Sequence, residues 1–237
     1  IGENVDRAVG RLLPDIDRQG ERDNTLVVFT SDNGPETLNR YRTANRSYGI
    51  PGPLRGMKLW TTEAGFRVAG IVSWPARIRQ PGVSHEPVWS LDLLPTFCQL
   101  AGSEPPADLK LDGANFLPVL EGREIQRENP LFWCYYNAIN EQRVAMRSGP
   151  WKLLAKLNGG KLPKLTNISD REVEQVRGAE LTDFELYRVT EDIGEATNVI
   201  EEHAQVAAAL KAQLNAIYRD LSETSHVWTS ARPASGK

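Results

Sequence analysis

The stretch Asn24–Glu36, NTLVVFTSDNGPE, joins an apolar segment directly to an Asp-Asn-Gly turn. Its run of β-branched residues has no polar alternation, which favours a strand buried on both faces, as in a parallel sheet. Asp32 and Asn33 follow at the carboxyl end of this strand, where open sheets of this kind bind their ligands. The stretch therefore predicts an α/β fold with a candidate site at Asp32 and Asn33.

The Asp-Asn pair has two interpretations. A carboxylate oxygen beside an amide oxygen suits a hard cation such as Ca²⁺ or Mg²⁺. Gly34 permits any backbone φ, so the same three residues also make an ordinary turn. These residues alone do not decide between the metal site and the turn.

Composition excludes several classes of protein. The 237 residues carry a net charge of −3, which gives no basic field for nucleic acid or an anionic membrane. No run of 18 apolar residues occurs, so no transmembrane helix is expected. The two cysteines, Cys98 and Cys134, lie outside any CxxC pattern, which argues against a zinc site or a disulfide scaffold.

Basic residues are concentrated after the turn. Between Asp32 and Arg67 there are six cations and three acids, although the whole chain is acidic. The cations are Arg40, Arg42, Arg46, Arg55, Lys58 and Arg67. Such a loop beside a strand-end carboxylate suits an anionic, oxyanion-bearing substrate, and the alternative is a solvated surface loop. Lys58 lies between glycines ahead of an apolar strand, where a point charge can contact a tetrahedral anion.

The rest of the first part predicts alternating helices and strands. Apolar residues at helical spacing predict a first helix, with Pro14 as a kink or an early stop. FRVAGIVSWP predicts a second strand, and SLDLLPTFCQLAG a helix capped by Ser90 and ended by Gly102. We place this first domain at residues 1–122.

The chain changes character from about residue 123. NPLFWCYYNA, QRVAMRSGPWKLLAKL and FELYRV predict strands, the second of which folds into a hairpin at 148–150. A final amphipathic helix follows, with an apolar stripe that includes Leu210 and Leu214. The simplest architecture for residues 123–225 is a small antiparallel sheet with a packed helix, and residues 226–237 are expected to be a disordered tail.

Four motifs occur together in one order: TLVVFTSDNGP, GPLRGMKLWTTEAGFRVAGIVSWPARI, SLDLLPTFCQLAG and LDGANFLPVLEG. They resemble the later half of the formylglycine-dependent sulfatases, especially the arylsulfatase A and N-acetylgalactosamine-6-sulfatase type. RSGPWKLL and ELYRVTEDIGEATNVIEEH resemble the C-terminal subdomain of that family. The resemblance covers nearly the whole chain except residues 158–183 and the tail. It implies an alkaline-phosphatase-like mixed sheet with helices on both faces, of which this chain would contain part.

The resemblance also implies site roles. Asp32 and Asn33 match a pair of ligands to a single Ca²⁺, and Lys58 matches the lysine that binds the substrate sulfate. Arg55 and Arg67 flank this lysine and are predicted to bind substrate. The family pattern has Gly where this chain has Met57 and Ala64, and Pro at Ala69, but none of these departures removes a charged group.

The nucleophile expected from the resemblance is a formylglycine, made from the first residue of Cys/Ser-x-Pro-x-Arg. Neither Cys98 nor Cys134 stands in that motif, and no histidine of the chain matches a catalytic position. We therefore expect the nucleophile, the remaining calcium ligands and the catalytic histidine in a preceding N-terminal half. The chain alone is expected to be inactive, and family members usually work in extracellular, periplasmic or lysosomal compartments.

Three functions stay open at this point. The first is Ca²⁺-dependent hydrolysis of sulfated sugars or aryl sulfates. The second is a phosphodiesterase or phosphonate hydrolase of the same superfamily, although those enzymes use a histidine-rich, two-metal site that this sequence does not predict. The third is a non-catalytic fragment that binds sulfated glycans. Position alone assigns substrate specificity to the loop Arg40–Arg46 and to residues 158–183, and the sequence does not indicate an oligomeric state.

Overall fold

The computed structural model describes residues 2–37, 48–166 and 168–229. The helices are α1 (Gly2–Arg18), α2 (Glu63–Phe66), α3 (Leu93–Leu100), α4 (Leu117–Leu120), α5 (Val173–Arg177) and α6 (Ala204–Thr224). The strands are β1 (Val27–Phe29), β2 (Ile71–Ser73), β3 (Leu131–Cys134), β4 (Gln142–Ser148), β5 (Trp151–Leu157) and β6 (Leu181–Arg188). Within these residues, none of the helices combines the length and the apolar character needed to cross a membrane.

The chain divides into two compact units. The first combines Ile1–Ser31 with Ala69–Asn129, and the second combines Asp32–Val68 with Pro130–Lys237. The second unit therefore contains both the Asp-Asn turn and the C-terminal sheet. This grouping by contacts differs from the predicted division at residue 122, which stays a prediction about the domains of the protein.

In the first unit, β1 pairs with β2 in antiparallel register, with Phe29 opposite Ile71. The expectation of a strand buried on both faces in a parallel sheet is wrong for β1, because its neighbour is antiparallel and none of its three residues is buried. An unbroken apolar run fixes neither the direction of the neighbouring strand nor what covers its faces. The first helix is confirmed, but α1 continues through Pro14 to Arg18 instead of stopping there.

Helix α3 is confirmed, but its predicted cap is not. The residue at its N-cap is Asp92, and Ser90 begins a short 3₁₀ turn that leads into the helix. The buried Asp92 carboxylate accepts hydrogen bonds from the main-chain N–H of Trp89 and Ala114 and pairs with Arg127. At the other end, Gly102 has φ +66° and terminates the helix as predicted.

The second unit contains a four-stranded antiparallel sheet in the order β3-β4-β5-β6. The predicted hairpin is confirmed: Ser148 pairs with Trp151, and Gly149 between them has φ +54°. Residues 158–183 contribute α5 and the first residues of β6, so the predicted insertion is partly helical.

One face of this sheet packs against α6. The side chains that meet there form the main apolar core of the unit, and the predicted helix on a small sheet is confirmed. The sheet contributes Val144, Met146, Leu153, Ala155, Leu157 and Leu186, and the helix contributes Ala207, Leu210, Leu214 and Tyr218.

The other face of the sheet carries a different set of side chains. Leu154 and Tyr187 form a smaller apolar cluster there with Phe66, from α2, and Trp133. The rings of Phe66 and Trp133 stack with centroids 4.0 Å apart. Because α2 closes the segment 55–67, this face of the sheet supports the segment in which Lys58 lies.

Candidate functional site

The Asp-Asn turn holds its two side chains by local hydrogen bonds. Oδ1 of Asp32 accepts from the main-chain N–H of Asn33 at 2.9 Å, and Nδ2 of Asn33 donates to the carbonyl of Gly34 at 3.0 Å. The second bond commits the amide nitrogen of Asn33 to the turn. The amide oxygen is therefore the end of this side chain that suits a cation.

Gly34 is required by close packing. Its main-chain N–H donates to the carbonyl of Gly65 at 2.9 Å. A Cβ at residue 34 would lie 1.7 Å from the carbonyl oxygen of Ala64, a separation that no folded chain tolerates. The absence of a side chain at Gly34 thus allows the turn and the segment 55–67 to approach each other. The sequence predicted a glycine there for its backbone φ, whereas the structure requires it for lack of space.

Lys58 lies directly beside this turn. Its main-chain N–H donates to the carbonyl of Pro35 at 2.9 Å, and its side chain is half-buried. Among the residues that the structure describes, none forms a hydrogen bond or an ion pair with the Lys58 ammonium. The next residue, Leu59, has a left-handed φ of +69°, a strained conformation for a branched side chain and one often found at functional sites.

Arg67 is exposed and is the last residue of the segment 55–67. Its guanidinium pairs with Glu63, with Nη1 3.0 Å from Oε2. The pair joins the first residue of α2 to the residue that follows the helix. Arg67 therefore has a partner in the protein, and its role in substrate binding stays a prediction.

Arg55 is directed at the sheet. Its Nη1 donates to the hydroxyl of Tyr187 at 2.9 Å and lies 3.5 Å from Oε2 of Glu185. Burial opposes the charge of Arg55, but Tyr187 and Glu185 outweigh it and raise the arginine pKa. These contacts explain Arg55 as an anchor of the segment, and its predicted contact with substrate stays a prediction.

A buried ionic cluster lies beneath α2. Nζ of Lys152 lies 3.0 Å from Oε1 of Glu63 and 2.7 Å from Oε1 of Glu195, and all three side chains are at most 2% exposed. Oε2 of Glu195 also accepts from the main-chain N–H of Glu63 at 2.8 Å. The ammonium stands 4.3 Å from the centre of the Phe66 ring. The cluster thus fixes both the side chain and the backbone of Glu63.

The two carboxylates of this cluster have opposite pKa shifts. Burial raises the pKa of Glu63, but Lys152, Arg147 and Arg67 together outweigh it, and the net pKa lies below the ordinary value. Burial also raises the pKa of Glu195, and Lys152 only partly offsets this, so its net pKa lies above the ordinary value. The surroundings therefore stabilise the ionised form of Glu63 more than the ionised form of Glu195.

The Asp-Asn turn has the right donor atoms to supply part of a calcium site. It supplies hard oxygen donors of the kind that Ca²⁺ prefers, six to eight of which complete its coordination. In the described ranges, no three acidic, histidine or cysteine side chains converge in a group that could hold a metal ion. Asp32 and Asn33 would therefore be two of several ligands.

Cys134 does not have the properties of an activated nucleophile. Burial raises the pKa of the Cys134 thiol to about 12, which keeps it protonated. The other cysteine, Cys98, lies in α3 and forms no disulfide. The predicted arginine-rich loop, Arg40–Arg46, lies outside the described residues.

The sequence did not predict Lys152 or Glu195 as contributors to this region. A lysine between apolar residues in WKLLAKL was the available signal, since a charge inside a buried strand requires a partner. That partner could not be identified, because Glu63 and Lys152 are 89 residues apart in sequence.

Comparison with protein families gives two matches. The sulfatase model matches residues 3–103. The model described as N-sulphoglucosamine sulphohydrolase, C-terminal, matches residues 57–220, which is more than half of the chain. The second match includes Lys58, α2 and the whole C-terminal sheet.

Individual relatives agree with these matches. Arylsulfatase A of Bos taurus is 36% identical over 211 residues, which are 86% of this chain and 39% of the relative. N-acetylgalactosamine-6-sulfatase of Rattus norvegicus is 37% identical over 149 residues, which are 62% of this chain and 26% of the relative. The chain thus spans less than half the length of these relatives.

Solved structures show the same fold. The crystal structure of Ps i-CgsB in complex with k-i-k-neocarrahexaose superposes with a TM-score of 0.72 and 26% identity. The match covers 95% of this chain and 43% of that chain. The predicted fold class, a mixed α/β architecture with a smaller antiparallel sheet, is confirmed.

Proposed function

We propose, from the premise that the chain belongs to the sulfatase family, that it is part of a hydrolase of sulfuric esters. The observation that carries this proposal is the position of Lys58. Its backbone is bonded to Pro35, in the turn that contains Asp32 and Asn33, the residue is half-buried, and its ammonium has no partner among the described residues. A lysine held in this way beside a candidate cation site is suited to a tetrahedral anionic group such as a sulfate ester.

In this proposal Lys58 binds the sulfuryl oxygens of the substrate. Negative charge shifts onto the sulfate group and the departing oxygen as the ester bond breaks, and a fixed ammonium nearby stabilises that charge. Asp32 and Asn33 would hold Ca²⁺, which supplies positive charge to the same oxygens when it is bound. The half-buried position of Lys58 limits screening of its charge by water.

The family resemblance implies a formylglycine nucleophile, but neither cysteine of this chain stands in its motif. The contribution that we assign to the chain is therefore sulfate binding and a share of the calcium site. The substrate class that we propose is a sulfated carbohydrate or an aryl sulfate, since the relatives include an arylsulfatase and an N-acetylgalactosamine-6-sulfatase. By the same resemblance we propose a site of action outside the cytosol.

Replacement of Lys58 tests the proposal. In the full-length protein, Lys58→Ala is expected to lower turnover of an aryl sulfate at least about tenfold, because removal of one charge contact to the transition state typically costs a few kcal/mol of barrier. Lys110→Ala is the matched control, since it removes an exposed lysine of the first unit. Equal turnover of the Lys58 variant and the control would remove Lys58 from the site.

Calcium binding is tested separately from turnover. Titration of the metal-free full-length protein with Ca²⁺ in a calorimeter is expected to show one site, and Asp32→Ala to weaken it by about two orders of magnitude through the loss of a charged ligand. Lys58→Ala should leave calcium affinity nearly unchanged, because the ammonium is not a ligand. Unaltered calcium affinity in the Asp32 variant would show that the turn has only a structural role.

A further inference from the structure

We infer that Lys152 is a positioning residue, which holds the sulfate-binding lysine in place by acting through Glu63. The inference rests on the function proposed above, because it assigns a role in that site to a residue that never touches the substrate. The C-terminal sheet would then belong to the machinery of the site as well as to the stability of the second unit.

The segment 55–67 is closed on itself. The main-chain N–H of Ala64 donates to the carbonyl of Arg55 at 2.9 Å, and the hydroxyl of Thr62 donates to the same carbonyl at 2.7 Å. A further bond of 3.0 Å runs from the N–H of Trp60 to the carbonyl of Met57. Lys58 lies inside this closed segment, so displacement of its C-terminal end at α2 displaces the lysine as well.

Lys152 holds that C-terminal end to the sheet. It projects from β5 on the face opposite α6 and is completely buried. Its ammonium pairs with Glu63 at 3.0 Å and with Glu195 at 2.7 Å, and Glu195 binds the main-chain N–H of Glu63. Lys152 thus holds the side chain of Glu63 directly and holds the main-chain N–H of Glu63 through Glu195.

Because the cluster of Lys152, Glu63 and Glu195 is buried, it is stable in only one arrangement of these side chains. A charge excluded from water is stable only where its partners are at hydrogen-bonding distance, so the segment has little freedom to move while the cluster is intact. Thr61 adds a neutral anchor, since its main-chain N–H donates to Oδ1 of Asn140 at 3.2 Å. The bond between Thr61 and Asn140 would keep the segment packed on the sheet when the ionic cluster is removed. Lys58 would then be held less rigidly.

The experiment measures inhibition of the full-length protein by inorganic sulfate, which competes with substrate for the same anion site. Lys152→Met keeps the length and apolar stem of the side chain and removes its charge. We expect the inhibition constant for sulfate to rise about tenfold, because a displaced ammonium keeps only part of its charge-assisted contact with the anion. Glu63→Gln, which keeps the shape of the partner, should change the constant in the same direction by a smaller factor.

A general loss of stability is excluded by a matched control. Arg127→Met breaks another buried ion pair, with Asp92, whose contacts lie wholly in the first unit. This control should lower the unfolding temperature and leave sulfate inhibition within about twofold of the parent, since it removes no contact of the segment 55–67.

A double variant distinguishes positioning from an independent effect. If Lys152 acts through Lys58, Lys152→Met should have almost no further effect on sulfate inhibition in the Lys58→Ala background. Additive effects of the two replacements would overturn the inference, as would unchanged inhibition in both Lys152→Met and Glu63→Gln. The proposed function fails by a different result, namely unchanged sulfate inhibition in Lys58→Ala alone. If Lys152→Met does not fold, the Glu63→Gln series decides the question by the same comparison.

Discussion

Gly34 lies directly against the carbonyl oxygen of Ala64, so close that a methyl group at residue 34 has no space. This contact joins the Asp-Asn turn to the segment that carries Lys58. It brings two groups of proposed function, a pair of oxygen ligands and an ammonium, onto adjacent pieces of backbone. The packing of a single glycine thus determines whether they can act on the same anion.

Gly34→Ala is therefore expected to be strongly destabilising. The new methyl group would have to push the turn away from Ala64, at a cost of about 2–4 kcal/mol in the free energy of unfolding. Urea denaturation followed by circular dichroism measures this cost. Gly82→Ala is the matched control, because a Cβ there meets nothing within 4 Å. A Gly34 variant as stable as the control would show that the turn and the segment are not in contact.

The ionic cluster gives a pH dependence whose sign follows from Glu195. Its pKa is raised above the ordinary value of 4.5, so its contribution to stability is fully present below that value and is lost as the pH rises through the raised pKa. Glu195→Gln removes this titration. The stability of the variant relative to the parent should therefore increase from about pH 4 to about pH 7, as measured by urea denaturation at several pH values.

Glu63 titrates in the opposite sense. Its pKa is lowered, so its contribution is present above the ordinary value and is lost as the pH falls through the lowered pKa. Carboxyl ¹³C shifts in a glutamate-labelled sample would show the two titrations separately, with Glu195 protonated at higher pH than Glu63. A Glu195 variant whose relative stability falls with rising pH would mean that its attraction to Lys152 exceeds the cost of burial.

Variants of Arg55 and Tyr187 distinguish the anchoring contact of Arg55 from its predicted contact with substrate. Arg55→Met removes the bond to Tyr187, and because the arginine side chain is 31% exposed, the loss of stability should be modest, about 1 kcal/mol. Tyr187→Phe removes the same bond from the other partner, so the two replacements together should cost little more than either alone. Urea denaturation of the two single variants and the double variant makes this measurement.

Sulfate inhibition of the same variants tests the predicted substrate contact of Arg55. Tyr187→Phe leaves the guanidinium in place, whereas Arg55→Met removes it. A much larger rise in the inhibition constant for Arg55→Met would mean that the arginine also reaches the substrate. Equal small effects would leave it as an anchor only.

Local patterns predicted most of the elements. The hairpin between β4 and β5 follows from the turn residues Ser148, Gly149 and Pro150 between two apolar runs, and α6 follows from its apolar stripe. These signals lie within a few residues of one another. The structure confirms them because short-range geometry is sufficient to specify a tight turn or one face of a helix.

The neighbours of a site residue depend on contacts that are distant in sequence. Asp92 lies in the stretch predicted as a helix, and no local pattern indicates that its carboxylate pairs with Arg127, 35 residues away. Arg55 is predicted from the sequence to bind substrate, and no local pattern indicates its partner Tyr187, which is 132 residues away. A sequence shows which residues carry charge, and only the folded chain shows which charges are already satisfied.

The four-stranded sheet supports α6 on one face and the segment 55–67 on the other. The segment has only the single turn of α2 as regular structure, and its position depends on side chains that the sheet provides. It therefore has no independent stability and would lose its shape in the same cooperative transition as the strands. A substitution beneath α6 that loosens the sheet would consequently reduce function with no contact to substrate, and the heat tolerance of the site would be that of the C-terminal sheet.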